Sequence, residues 1–205
     1  MDLIKKGDHV DISLRKIGVG LGWKYGQKNG KEFDLELSAF VLDESGKFVT
    51  HSDDNTPAYP QIRRFFVYFN NQSSADGAVE SSGDDLGDGE DDSGDDNEDK
   101  ETITVDLDKL DSRAVEIVFT ANLEAYEERG HSFGDVQNSF IRVFNQANDE
   151  EICRYDLEDD FSFESAIEFG RLIKNGSSWE FEALGLGHDG GLATLVEKFK
   201  VEDWG

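Results

Sequence analysis

Apolar residues recur at every second position in one short segment after another, and this two-residue period constrains the chain to β-structure. Val10, Ile12 and Leu14 alternate in HVDISL, and Phe33, Leu35, Leu37, Ala39 and Val41 alternate in FDLELSAFVLD. Ile103, Val105 and Leu107 do the same in TITVDLD, and VEIVFTAN, SFIRVFNQ, EICRYDL and SSWEFEAL supply four more candidate strands. The run FFVYF (Phe65 to Phe69) is aromatic or β-branched throughout and reads as a central strand. Segment 163–174 nearly alternates across SAIEFGR and is assigned to a strand as well. Glycine, Asn and Asp interrupt these runs at the short intervals of a sandwich or barrel. The period changes near the end: after Gly190-Gly191, the residues Leu192, Leu195, Val196 and Phe199 fall at helical spacing. A weaker helical signal covers Leu123–Arg129. The predicted fold is mainly β, a two-sheet β-sandwich with a long acidic metal-binding loop and a short C-terminal helix. The 205 residues fit one domain, and the strands on both sides of the acidic loop share one pattern, so a single domain over 1–205 is expected.

Hydrophobic residues make up 37% of the chain, below the roughly 45–50% of ordinary globular proteins. The deficit is local. Residues 84–101 (DDLGDGEDDSGDDNEDKE) hold almost no apolar side chain except Leu86, which leaves fifteen Phe and three Trp elsewhere to fill an interior. The formal net charge of −26 excludes partners that need a Lys/Arg footprint. Nucleic acid and anionic membrane surfaces would both be repelled, whereas cations are the natural counterpart.

Calcium takes six to eight hard oxygens from carboxylates, amides and backbone carbonyls in flexible geometry. The stretch from Asn70 to Glu98 offers each kind. Asn70, Asn71 and Asn97 carry amide oxygens, and Asp76, Asp84, Asp85, Asp88, Glu90, Asp91, Asp92, Asp95, Asp96 and Glu98 carry carboxylates. Glycines at 77, 83, 87, 89 and 94 permit the positive φ that turns carbonyls inward. Two like charges about 4 Å apart cost on the order of 4 kcal/mol at an effective dielectric of 20, and a divalent ion reverses that sign. Magnesium, with its small octahedral shell, is less well served. Zinc lacks a Cys/His cluster, since His9, His51, His131 and His188 are scattered and read as surface or hydrogen-bonded residues. The EF-hand pattern fails: from Asp84, position three is Leu86, and from Asp88, position six is Ser93. The plain alternative is a loop that only solubilises the protein. A further alternative is a metal-dependent hydrolase with paired ions, although residues 70–101 contain Lys100 as their sole cation.

Other signals are weaker. Cys153 is the single cysteine, so no intrachain disulfide forms, and its strand-like setting marks a buried structural thiol. Trp23 reads as core. The glycines of IGVGLG (17–22) have the wrong spacing for a dinucleotide fingerprint, and the turn LEDD (157–160) reads as a polar connection. The N-terminus lacks the apolar stretch of a signal peptide and no run approaches a membrane span, so the cytoplasm is the expected compartment.

GLGW at 20–23, FDLELSAF at 33–40, FVYFNN at 66–71 and DGAVESSGDD at 76–85 occur in the same order as motifs of a known family. FGDVQNSFIRV at 133–143, RYDLEDDFSFESA at 154–166 and SWEFEALGLGHDGGL at 178–192 continue the series across nearly the whole chain. In these motifs the sequence resembles the TerD family of tellurite-resistance and general stress proteins. The resemblance implies a β-sandwich that binds calcium at the acidic loop, with a role in resistance to tellurite, phage or chemical stress and no enzymatic activity. Carried over residue by residue, its metal pattern falls on Asn70, Asn71, Asp76, Asp84, Asp85, Asp95, Asp96 and Glu98. Asp88 and Glu90 join them from the extra acids of this longer loop, with room for a pair of calcium ions. The chain departs from the family pattern at Lys24, where an acidic residue usually follows the tryptophan, and at DLELS in place of DLDAS. Expected partners are other proteins, including other TerD-like domains.

Overall fold

The computed structural model describes residues 2–49, 65–83, 98–157 and 161–201. Strands β1 (Asp2–Leu3), β12 (Glu151–Asp156), β11 (Phe140–Asn145), β3 (Lys16–Gly22), β9 (Glu101–Asp106) and β8 (Val79–Ser81) lie side by side in that order as the first sheet. The second sheet runs β2 (His9–Ile12), β14 (Ser178–His188), β13 (Ala166–Asn175), β10 (Glu116–Leu123), β6 (Leu35–Leu42) and β7 (Phe66–Val67). Every pairing is antiparallel except that of β1 with β12. A small hairpin, β4 (Gln27–Lys28) and β5 (Lys31–Glu32), stands apart from both sheets. One helical turn, α1 (Tyr126–Arg129), follows β10, and α2 (Gly191–Phe199) follows β14.

Alternation decides what the sheets enclose. Ile17, Val19 and Leu21 of β3, Ile103 and Val105 of β9, and Leu35, Leu37, Ala39 and Val41 of β6 all enter one buried cluster between the sheets. Each such side chain is worth roughly 1.5–3 kcal/mol on burial. β6 is buried on its other face too, which alternation alone does not require. There Phe40 and Leu42 join Phe48, Phe66, Val118, Leu195 and Phe199 in a second cluster beneath α2. The Phe40 ring stacks on Phe66 at 4.5 Å and meets Phe199 at 4.9 Å. The helix thus closes the outer face of the second sheet, and its apolar spacing exists for that purpose.

The mainly β architecture with two large sheets and a short C-terminal helix stands as expected, as do strand β13 and the buried Cys153. Two readings change. FFVYF is not a central strand: only Phe66 and Val67 pair, with Phe40 and Ala39, and they form the edge of the second sheet. The backbone then reverses, Asn71 N donating to Tyr68 O at 2.9 Å, so the aromatic run ends in a turn. IGVGLG, meanwhile, is strand β3, with partners on both sides. Its glycines face outward, where a Cβ at Gly18 would lie 2.1 Å from the Phe144 ring and one at Gly22 2.3 Å from Phe140. They are glycines because neighbouring side chains lie flat across the strand.

Candidate metal centre

The two ends of the acidic segment are brought together by a closed stem. Val79 pairs with Val105 and Ser81 with Ile103, and Ser82 N donates to Thr102 O at 2.8 Å. Gly83 ends the incoming arm at φ 94°, a conformation costly to any residue with a Cβ. On the outgoing arm Lys100 N donates to Leu21 O at 2.8 Å. The acidic segment is therefore the connection of a β8–β9 hairpin in the first sheet. It was expected to join strand 65–69 directly to strand 102–107. Instead β7 belongs to the second sheet, and residues 68–78 cross from one sheet to the other before the hairpin begins.

The predicted ligands divide accordingly. Asp84, Asp85, Asp88, Glu90, Asp95 and Asp96 lie outside the described residues. Asn70 is exposed in the turn after β7. Asn71 Nδ2 donates to Phe66 O at 2.6 Å, which fixes the amide against that turn. Asp76 organises a turn of its own. Its Oδ1 accepts from Ser74 Oγ at 2.6 Å and Ala78 N at 3.0 Å, and its Oδ2 accepts from Asp111 N at 2.8 Å. Glu98 is exposed on the outgoing arm. Among the described residues no group of three His, Cys, Asp or Glu is placed to hold a metal. A calcium cage here would need the hairpin carboxylates; the donors flanking it are hard oxygens, which fit calcium and not a soft metal.

Acidic residues that the sequence did not single out anchor the stem. Asp99 is nearly buried and takes three hydrogen bonds from Arg142, at 2.9 and 3.0 Å from Nε and 2.7 Å from Nη2. These hydrogen bonds hold the Arg142 guanidinium above its already high ordinary value, against the opposing effect of burial. The Arg142 guanidinium also lies 4.4 Å from the Phe144 ring. Asp99 fits only because position 20 is glycine, since a Cβ there would sit 2.2 Å from its carboxylate. Glu101 is buried as well, and its carboxylate accepts from Leu37 N of the second sheet. The sequence offered one usable signal for Asp99, the outward-facing glycine on the strand beside it.

Cations line the neighbouring surface. Lys100 Nζ stands 3.3 Å from the Tyr25 ring centroid and 5.8 Å from that of Trp23. Trp23 is buried, as expected. Tyr25 lines a shallow cleft of about 360 Å³ with Lys24, Gln27, Lys28, Phe33, Asp135 and Gln137. Burial opposes the charge on Asp135, but hydrogen bonds from Lys28 and Ser132 outweigh it and hold the carboxyl below its usual range. Of the histidines, His9 lies 3.6 Å from Glu180, and His188 lies 2.7 Å from Glu168. His131 departs from expectation: it is buried against Phe33 with no hydrogen bond at either ring nitrogen.

Comparison with known proteins places this architecture. The chain is 34% identical over 206 residues to the tellurium resistance protein TerD of Serratia marcescens, covering 97% of this chain and 96% of that protein. It is 35% identical over 206 residues to general stress protein 16U of Bacillus subtilis, covering 97% of each. The stress response protein SCP2 of Bacillus subtilis is 32% identical over 214 residues, 96% of this chain and 98% of that protein. Among solved structures, that of a homologue of telluride resistance protein (TerD) from Streptomyces coelicolor A3(2) superposes with a TM-score of 0.66 at 18% identity, over 90% of this chain and 96% of that one. The agreement there is one of fold. The family model for the TerD domain matches residues 2–199, and the chain belongs to the TerD family.

Proposed function

We propose that this TerD-family stress-response protein is a calcium-dependent binding module, not an enzyme. Calcium orders the acidic hairpin and so creates a surface for another protein, including another TerD-like domain. One observation carries the reading: a closed β8–β9 stem returns the chain to its starting point across residues 84–97, of which eight are Asp or Glu. That many carboxylates between two fixed ends repel one another unless a hard cation sits among them. Asn70, Asn71, Asp76 and Glu98 flank the hairpin and supplement its donors. Relatives named for tellurium resistance and general stress support the cellular role.

Binding to the folded state alone raises stability by mass action. Titration calorimetry with calcium should show saturable binding of a pair of ions, and millimolar calcium should raise the melting temperature reversibly with EGTA. No heat and no thermal shift would retire the reading.

A further inference from the structure

The outer face of the second sheet carries buried polar atoms that no protein group satisfies. Ser38 on β6 stands directly across from Thr120 on β10, Glu36 across from Asn122, and Thr120 across from Glu168 on β13. Directly paired residues share a face, so five polar side chains rise together from three adjacent strands. None is more than 5% exposed. Ser38 Oγ, Thr120 Oγ1 and Asn122 Oδ1 have no hydrogen-bond partner. At the rim, Asn122 Nδ2 donates to Glu36 Oε2 at 3.3 Å, Lys198 Nζ donates to Glu168 Oε1, and His188 Nε2 lies 2.7 Å from that same oxygen.

A buried polar atom left without a partner costs roughly 1–3 kcal/mol, and three at neighbouring positions are too many to leave unanswered. The nest is rich in acceptors. Asn122 Oδ1 and both carboxylates can only accept, so the missing group must bring positive charge or several protons. A single water supplies two protons, whereas a cation engages every lone pair at once. We propose that this nest binds a hard cation of the sodium or calcium class. Ser38 Oγ, Thr120 Oγ1 and Asn122 Oδ1 are its neutral ligands, and the Glu36 and Glu168 carboxylates supply charge. An all-oxygen donor set excludes zinc and copper preferences. The site is on the opposite sheet from the β8–β9 hairpin and does not depend on calcium binding there.

Thr120→Val and Ser38→Ala remove one ligand each with little change of shape, so both variants should fold. Melting temperatures of wild type and variants are compared in choline, sodium and calcium chloride at one ionic strength. The wild type should gain about 5 °C or more in sodium or calcium over choline. Part of a calcium gain can come from the hairpin, so the diagnostic is the increment that both variants lose while calorimetry shows hairpin calcium binding unchanged. Crystals grown with thallium for sodium, or terbium for calcium, should show an anomalous peak among the five side chains. Variants as stable as wild type or more so in every salt, with no peak, would mean that water fills the nest, and the proposal would fall. Loss of hairpin calcium binding with the nest increment intact would overturn only the proposed function.

Discussion

Arg142 and Asp99 form the tightest ionic contact at the base of the acidic hairpin, and both side chains are largely withdrawn from water. Removing one member of such a pair strands the other charge. Arg142→Ala should therefore cost about 3 kcal/mol, read as a lower urea midpoint with unchanged slope. Asp149, well exposed on the same guanidinium at 2.8 Å, contributes far less, and Asp149→Ala should fall within about 0.5 kcal/mol of wild type. Asp135 gives a pH signature. Its folded pKa lies below the ordinary value, so the stability it confers is complete above the unfolded value of about 4 and disappears as pH falls through the lowered folded value. Asp135→Asn should flatten that acid limb in melting curves taken between pH 6 and pH 2. These couplings were not legible in the sequence. Asp99 was one carboxylate in a run of many, and only the strand beside it distinguishes it from its neighbours.

Strands with clean alternation were legible because one face meets the other sheet: β9 alternates buried and half-buried along its whole length. β3 was not, since its outward positions are glycines and only Ile17, Val19 and Leu21 carry the period. β7 misled for the opposite reason. Its aromatic side chains pack under α2, not in the middle of a sheet, so unbroken hydrophobicity marked an edge strand covered by a helix. Each case yields a measurement. Gly20→Ala places a methyl against the Asp99 carboxylate and should destabilise by about 1–3 kcal/mol, with Arg142→Ala adding little in the double variant because the same contact is already lost. Phe40→Ala empties the centre of the α2 cluster, where Phe40 is fully buried, and should cost about 3–5 kcal/mol. Hydrogen exchange in α2 should accelerate in that variant before exchange in β9 does.

At the scale of the whole molecule, charge opposes compactness. A net charge of −26 repels itself at low ionic strength, so choline chloride raised from about 10 mM to several hundred millimolar should increase the melting temperature by screening alone. Among the described residues no helix is long and apolar enough to cross a membrane. The acidity was visible in the sequence as a potential cation site, and its attachment to a hairpin stem was not, because β8 is only three residues long and leaves almost no periodic trace.

The crossing at residues 68–78 has a mechanical consequence. The turn bearing Asn70 and Asn71 is fastened to one wall of the sandwich, and the arm bearing Glu98 to the other. An ion that drew oxygens from both would act as a rivet between the two walls. Its departure would leave them joined at that end by the crossing chain and by Glu101, which reaches the Leu37 amide.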